Sequence, residues 1–281
     1  MESWRLILDG EGPAAHNMAV DEAMLAAHAD GEAPPTLRIY YWATPAISLG
    51  YFQRVERSRI DLDYCEAAGI TLVRRPTGGR AVLHGHDVTF SVVMAESRIP
   101  KAFRGVLGSH LWIISGIVRA FELLGINARI GCSGAGGGPV GADCFAHISE
   151  CDVRWERGKC AGAAQVRKCG AILEQGSIPH LDPRIDYARV FRGAASPESP
   201  LRSFSRKSVE DAVVRGFGSA LGIDLEAMEL TDTEKRLARD LAENKYESAE
   251  WTSDRRALSV DNSMLSCYTD SASLRGGRRR A

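Results

Sequence analysis

Neither sign of charge dominates this chain of 281 residues: 35 Lys and Arg face 36 Asp and Glu, for a formal net charge of −1. Proteins that grip nucleic acid through its phosphates carry a basic excess, so no nucleic-acid partner is expected. Basic residues gather only near the end, in Arg275-Gly-Gly-Arg278-Arg279-Arg280. Long apolar runs are lacking too. The longest uncharged stretches, 39–53 and 105–118, fall short of the roughly 18 apolar residues of a membrane span and contain Pro, Gly, Ser or His. No span and no membrane partner are expected. Near the start, Asp9, Glu11, Asp21 and Glu22 stand where a secretory signal needs a basic end and an apolar run, which points to a cytoplasmic protein. The seven cysteines are odd in number and form no CxxC pair, so they read as reduced thiols. Cys151, Cys160 and Cys169 lack the close pairs of a structural zinc site. No Walker sequence, internal repeat or heptad run is present.

What is present has ordinary globular composition, 44% hydrophobic and 25% charged. Apolar periodicity predicts a strand at 4–8, then a helix over 16–29 with Asp21 and Glu22 near its start. Strands follow at 37–41 and 46–50, then a helix from an Asp61 N-cap to Gly69. Three strands at 70–74, 80–84 and 88–94 come next, the first two joined by a Pro76-Thr-Gly-Gly79 turn. A long helix is expected over 101–124 and a mobile loop over 131–141, where six of eleven residues are glycine. Strands at 144–148, 151–156, 160–166 and 171–178 make a meander, and helices close the chain at about 184–191, 207–221 and 231–245. The fold class is α+β: a largely antiparallel or mixed sheet flanked by helices, one domain over residues 1–252. The Ser/Arg-rich remainder, 253–281, cannot repay the entropy of ordering and is expected to be a disordered tail.

Three features could carry chemistry. In Arg74-Arg75-Pro-Thr-Gly78-Gly79-Arg80-Ala-Val-Leu-His84, the paired glycines allow close approach of a ligand to the backbone and the arginines offer bidentate donors. Composition alone favours a plain hairpin turn with solvated arginines and a structural His84. The segment Gly136-Gly-Gly138-Pro-Val-Gly141 formally matches GxGxxG, but Pro139 interrupts it and a strand follows, so a dinucleotide site is rejected. Cys144 and Lys159 stand fifteen residues apart at the starts of two predicted strands. If those strands converge, the ammonium favours the thiolate and activates a nucleophile. Alone, each has a blander reading, as a small buried hydrophobe and a solvated charge.

Together these segments resemble the biotin/lipoate protein ligase and lipoyl transferase superfamily. The resemblance rests on Asn17-Met-Ala-Val-Asp21-Glu22-Ala23, Ser48-Leu-Gly50-Tyr51-Phe52-Gln53, the Arg74 to His84 segment, Gly158-Lys159-Cys-Ala-Gly162-Ala-Ala-Gln165 and Lys245-Tyr246-Glu-Ser-Ala-Glu250-Trp251, in order over residues 1–252. Cys144-Phe145 before the Gly-Lys pair, with Glu174-Gln175-Gly176-Ser177-Ile178 after it, resembles the octanoyltransferases of the LipM type. The resemblance implies the ligase-type catalytic fold. It also implies octanoyl transfer from octanoyl-acyl carrier protein to a lysine of a lipoyl domain, of the glycine cleavage H protein or a 2-oxoacid dehydrogenase subunit, with no cofactor. Cys144 would be the nucleophile and Lys159 its activator, while Arg75, Gly78, Gly79 and His84 would line the acyl site and Gly162 would let substrate pass close to the backbone. Gly85 departs from the Asp usual after this histidine, and Ala146 from an Asp. Two other readings stand beside it: an ATP-dependent lipoate ligase with a structural Cys144, and a non-catalytic protein that binds acyl groups or lipoyl domains.

Overall fold

In a computed structural model, the described residues are 2–131, 144–145, 151–181 and 185–255. The chain begins with strand β1 (Glu2–Gly12), helix α1 (Ala14–Ala29), β2 (Thr36–Trp42) and β3 (Ala46–Leu49). Next come α2 (Leu62–Ala67), β4 (Thr71–Arg74), β5 (Val82–His84), β6 (Asp87–Ala95) and α3 (Val106–Leu123). β7 (Arg129–Ile130), β8 (Val153–Trp155), β9 (Gly158–Lys168) and β10 (Ala171–Pro179) follow. The last elements are α4 (Tyr187–Val190), α5 (Arg206–Leu221), β11 (Ile223–Ala227), α6 (Asp232–Leu241) and α7 (Ala249–Asp254).

Eight strands form one mixed sheet, in the order β11-β1-β2-β6-β10-β9-β8-β7. β1 pairs in parallel with both neighbours, and the rest of the sheet is antiparallel. Helices cover both faces, so β2 and β6 are buried almost throughout, and their polar members Arg38, Asp87, Thr89 and Ser91 are hydrogen-bonded inside. Leu37, Ile39, Phe90 and Val92 face the core under α3 and α5, whereas Tyr40, Trp42 and Val93 face the core under α1 and α6. Across the β6–β10 pair, Gly176 lies opposite Phe90, and a Cβ there would sit 2.2 Å from the Phe90 ring. The β9–β10 hairpin closes through Cys169-Gly170, both at positive φ as its twist requires. A second sheet of three strands, β4-β3-β5, packs with α2 and α4 around a smaller core.

The mixed α+β architecture matches the sequence reading, with differences in detail. β4 and β5 are not a hairpin: they flank β3 on opposite edges, so residues 75–81 cross its end rather than turn back. α1 starts at Ala14 behind Pro13, which places Asp21 and Glu22 in mid-helix and fully buried instead of near its N-terminus. The predicted helix over 101–124 is interrupted by Gly105, at φ +92°, and only 106–123 are α-helical. Among the described residues α3 alone is long and apolar enough to cross a membrane. Instead it buries Ile113, Ile114, Ile117 and Phe121, and packs against α5 so closely that a Cβ on Gly216 would lie 2.4 Å from the Gly116 carbonyl. β11 has no counterpart in the sequence reading; Gly222, in the left-handed conformation, turns α5 straight into it. α6 ends in a π-turn, Ala242–Tyr246, that aims Lys245 and Tyr246 at Glu22. α7 runs to Asp254, two residues past the expected domain end. The glycine-rich loop beyond Gly131, residues 146–150 and the tail beyond Arg255 lie outside the described residues.

Candidate active site

Arg74 and Arg75 leave β4 in opposite directions, and both are buried. Arg74 donates to the carbonyls of Gly50, Tyr51 and Gln53 and to those of Trp251, Thr252 and Ser253, joining the β3 exit to α7. Arg75 donates to the Ser48 carbonyl and hydroxyl and to the carbonyls of Gly78 and Arg80. Burial lowers its guanidinium to about 10, with the Cys144 sulfur pulling the other way, so it stays charged at neutral pH. The expected solvated turn is therefore a braced loop. Gly79 sits at φ +90°, and its carbonyl lies so near Gly50 that a Cβ there would be 1.9 Å away. Thr77 ties the loop to β10 by donating to Gln175, 2.8 Å away, and Gln175 donates to Asp21 at 2.7 Å.

The braced loop places Cys144, whose backbone N–H donates to the Ala81 carbonyl at 2.9 Å. Cys144 lies on a bend rather than at the start of a strand. Lys159 does begin its strand, β9, and the two residues meet. Lys159 Nζ is 3.2 Å from Cys144 Sγ, 3.1 Å from the Cys144 carbonyl and 2.9 Å from Asp152 Oδ1. Burial disfavours this ammonium, but the sulfur and the Asp152 carboxylate outweigh that and hold its pKa above the usual lysine value. Gly162 makes the approach possible: a Cβ there would lie 2.6 Å from Lys159 Cε and 2.7 Å from Nζ. Its missing side chain thus makes room for Lys159, and Gly162 also lines the pocket on which the site opens.

His84 ends β5 and stacks on Trp42, ring centroids 4.0 Å apart. Its Nδ1 donates to Asp87 at 2.7 Å, and its Nε2 is 2.8 Å from the Ser48 hydroxyl, which accepts from Arg75. Burial would raise the Asp87 carboxyl, but His84 and the Ser177 hydroxyl hold it well below the usual carboxylate range. Gly85, at φ +111°, leaves little room for a side chain beside Pro45, and the ring's carboxylate partner is Asp87, three residues on.

These groups face one pocket, partly open to solvent, with a cavity volume of about 60 Å³ and a largely apolar lining. Arg75, Gly79, His84, Cys144 and Gly162 line it, alongside Met18, Trp42, Val82, Ala163 and Ala164. Lys159 meets it through Cys144. Gly78 is not in the lining; its carbonyl anchors Arg75. Asp152, Asp87, Ser48 and Gln175 are contributors that sequence reasoning missed. Cys65 and Cys160 are core thiols, pushed by burial up to about 11 and about 12, and are chemically quiet. The arrangement offers a thiol against a buried ammonium, a histidine oriented by a carboxylate, and an apolar-lined pocket beside them.

Comparison with known proteins bears on the family of the chain. Residues 13–239 match the family model described as the lipoyl protein ligase A/B catalytic domain. The sequence is 41% identical over 273 residues to the octanoyltransferase LipM of Kyrpidia tusciae, covering 89% of this chain and 98% of that one. It is 38% identical, with the same coverage, to the octanoyltransferase LipM of Anoxybacillus flavithermus. Among solved structures, a lipoate-protein ligase A bound with ATP superposes with a TM-score of 0.75 at 29% identity, over 91% of this chain and all of that one. A protein of Thermoplasma acidophilum described as a putative lipoate protein ligase, with bound lipoic acid, gives 0.73 at 30% identity, over 90% and 99%.

Proposed function

The chain belongs to the lipoyl protein ligase A/B catalytic domain family, and we propose that it is an octanoyltransferase that works through a thioester on Cys144. The supporting observation is the Cys144 thiol, 3.2 Å from a buried ammonium, at an apolar cavity. In the first half-reaction the Cys144 thiolate attacks the thioester carbonyl of octanoyl-acyl carrier protein. The carbonyl carbon becomes tetrahedral, its oxygen takes the negative charge, and collapse expels the carrier's thiolate, which takes up a proton. Lys159 favours the attacking thiolate and then faces the oxyanion. One thioester replaces another, so the step is close to thermoneutral and draws on no nucleotide.

In the second half-reaction the amine of a lipoyl-domain lysine attacks the octanoyl-Cys144 carbonyl, an amide bond forms, and the Cys144 thiolate leaves. His84 faces the same cavity with Nδ1 committed to Asp87, which leaves Nε2, next to the Ser48 hydroxyl, as the position for the proton the amine must lose. The lipoyl domain of the glycine cleavage H protein is the acceptor we favour, with that of a 2-oxoacid dehydrogenase subunit as the alternative, and the reaction is cytoplasmic.

Mixing the protein with octanoyl-acyl carrier protein and measuring intact mass tests this reading. The expected result is one octanoyl adduct that maps to Cys144 and discharges onto a lipoyl domain, and Cys144→Ser should fold normally and form no adduct. AMP release from ATP and lipoate with no adduct would replace this reading by a ligase, and neither reaction would leave a binding protein.

A further inference from the structure

His110 lies on the buried side of α3, outside the lining of the Cys144 cavity. Both of its ring nitrogens face acceptors. Nδ1 is 2.6 Å from Glu174 Oε1, and Nε2 is 3.0 Å from the Cys151 carbonyl. A carbonyl oxygen only accepts. An ionised carboxylate only accepts, and the other Glu174 oxygen already receives the Gln165 amide at 2.8 Å. A neutral imidazole has a single N–H and would set lone pair against lone pair at one of these contacts. We propose that His110 is held as the imidazolium and is a positioning residue for the acyl-transfer site, clamping the Cys151–Asp152 backbone to β10 so that Asp152 sets the Lys159 ammonium on Cys144.

Each link is short. The clamp fixes Cys151 at its carbonyl, the next residue's carboxylate accepts from Lys159 at 2.9 Å, and Lys159 reaches the thiol at 3.2 Å. Glu174 is fully buried, so the pair is shielded from salt and water. Two carboxylates bear on the ring, Glu174 on β10 and Asp152 ahead of β8. Burial disfavours the imidazolium, but the Glu174 hydrogen bond and charge outweigh it and raise the ring's pKa above its usual value. The order it supplies is therefore complete in mildly acidic solution and lost as pH rises through the folded-state value. The catalytic part of this inference rests on the octanoyltransferase reading; the charged clamp does not.

Nitrogen-15 NMR of the histidine-labelled protein, with His110→Gln for assignment, tests the clamp directly. Both His110 ring nitrogens should bear protons near neutral pH, and Glu174→Gln should return the ring to a neutral single-N–H form there. A neutral tautomer in the unmodified protein overturns the proposal. For the positioning role, Cys144 acylation and iodoacetamide alkylation are followed against pH. The unmodified protein should lose rate on the alkaline side as His110 deprotonates. His110→Gln, which keeps the size and one donor, should remove that inflection and slow acylation by about 10²-fold, the scale of an ångström misplacement. Glu174→Gln serves the same purpose if His110→Gln does not fold. A wild-type rate and profile in the folded variant would overturn the role. Loss of octanoyl transfer in every form, with the alkylation profile still inflected, would strike the octanoyltransferase reading alone.

Discussion

Gly162→Ala separates the site from the scaffold. The added methyl would sit 2.6 Å from Lys159 Cε and 2.7 Å from Nζ, and its next neighbour is Asp152 Oδ1 at 3.6 Å. The crowded group is the end of a flexible side chain, so the lysine withdraws by about 1 Å while the backbone stays put, and stability should fall by no more than about 1 kcal/mol. At an effective dielectric of about 20, unit charges 3.2 Å apart attract by about 5 kcal/mol, and an ångström further out by about 4 kcal/mol. About 1 kcal/mol of preference for the thiolate is lost, so iodoacetamide should alkylate Cys144 roughly fivefold more slowly at neutral pH. Octanoyl transfer should fall further, by roughly 10²-fold, because the same ammonium no longer faces the developing oxyanion. Alkylation kinetics, intact mass and calorimetry measure the three quantities. Wild-type alkylation and transfer in a variant of normal melting temperature would refute the idea that Lys159 acts through its place against the thiol. A large loss of melting temperature would show that the glycine serves the backbone instead.

Three further outcomes follow from buried groups near the site. Glu22, held at about 2 by Lys245 and Tyr246 against the cost of burial, contributes stability that is complete above about 4.5 and lost as pH falls toward 2. Glu22→Gln should cost about 3 kcal/mol at neutral pH and flatten the acid limb of urea-unfolding midpoints; an acid limb identical to wild type would refute the pairing. Arg74→Ala strips donors from six carbonyls on two segments and should cost about 3–5 kcal/mol, with protease nicking near α7 appearing first; undiminished protection there would count against the brace. Gly50→Ala must push against the Gly79 carbonyl, which is backbone and cannot swing away, so it should cost more than the roughly 1–3 kcal/mol of ordinary overpacking and slow acylation; calorimetry showing no loss would disprove the close crossing.

The sheet was largely legible because its central strands are rich in β-branched and aromatic residues, as in β2 and β6, and the helix ends because Asp61 and Gly125 punctuate as caps and stops do. β11 escaped because it is a five-residue edge strand with two exposed acids, held by its parallel pairing with β1 rather than by its own pattern. Lys159 and Cys144 were legible as chemistry, and their meeting required only that the meander and the 75–81 loop converge. Their supports were not. Asp87, three residues past His84, and Asp152, seven residues before Lys159, look like any surface carboxylates until pairing brings them in. Arg75 reads as a ligand donor by composition, yet its donors are taken by carbonyls that only the crossing of β3 supplies.

The β1–β11 pairing also orders events in time. As the chain leaves the ribosome, β1 emerges well before β11, and one of its edges has no partner until residue 227 has been made. Arg5 waits 229 residues for Glu234, Glu22 waits 223 for Lys245, and Arg74 waits 178 for Thr252. Each of these early charges ends fully buried, and burial without its partner would cost several kcal/mol. A nascent fragment therefore cannot settle into a smaller stable version of the fold. It holds an open strand edge and unpaired ions, the features that chaperones and proteases recognise, until α6 and α7 arrive. Only a chain synthesised past residue 252 has brought every one of these early charges its partner.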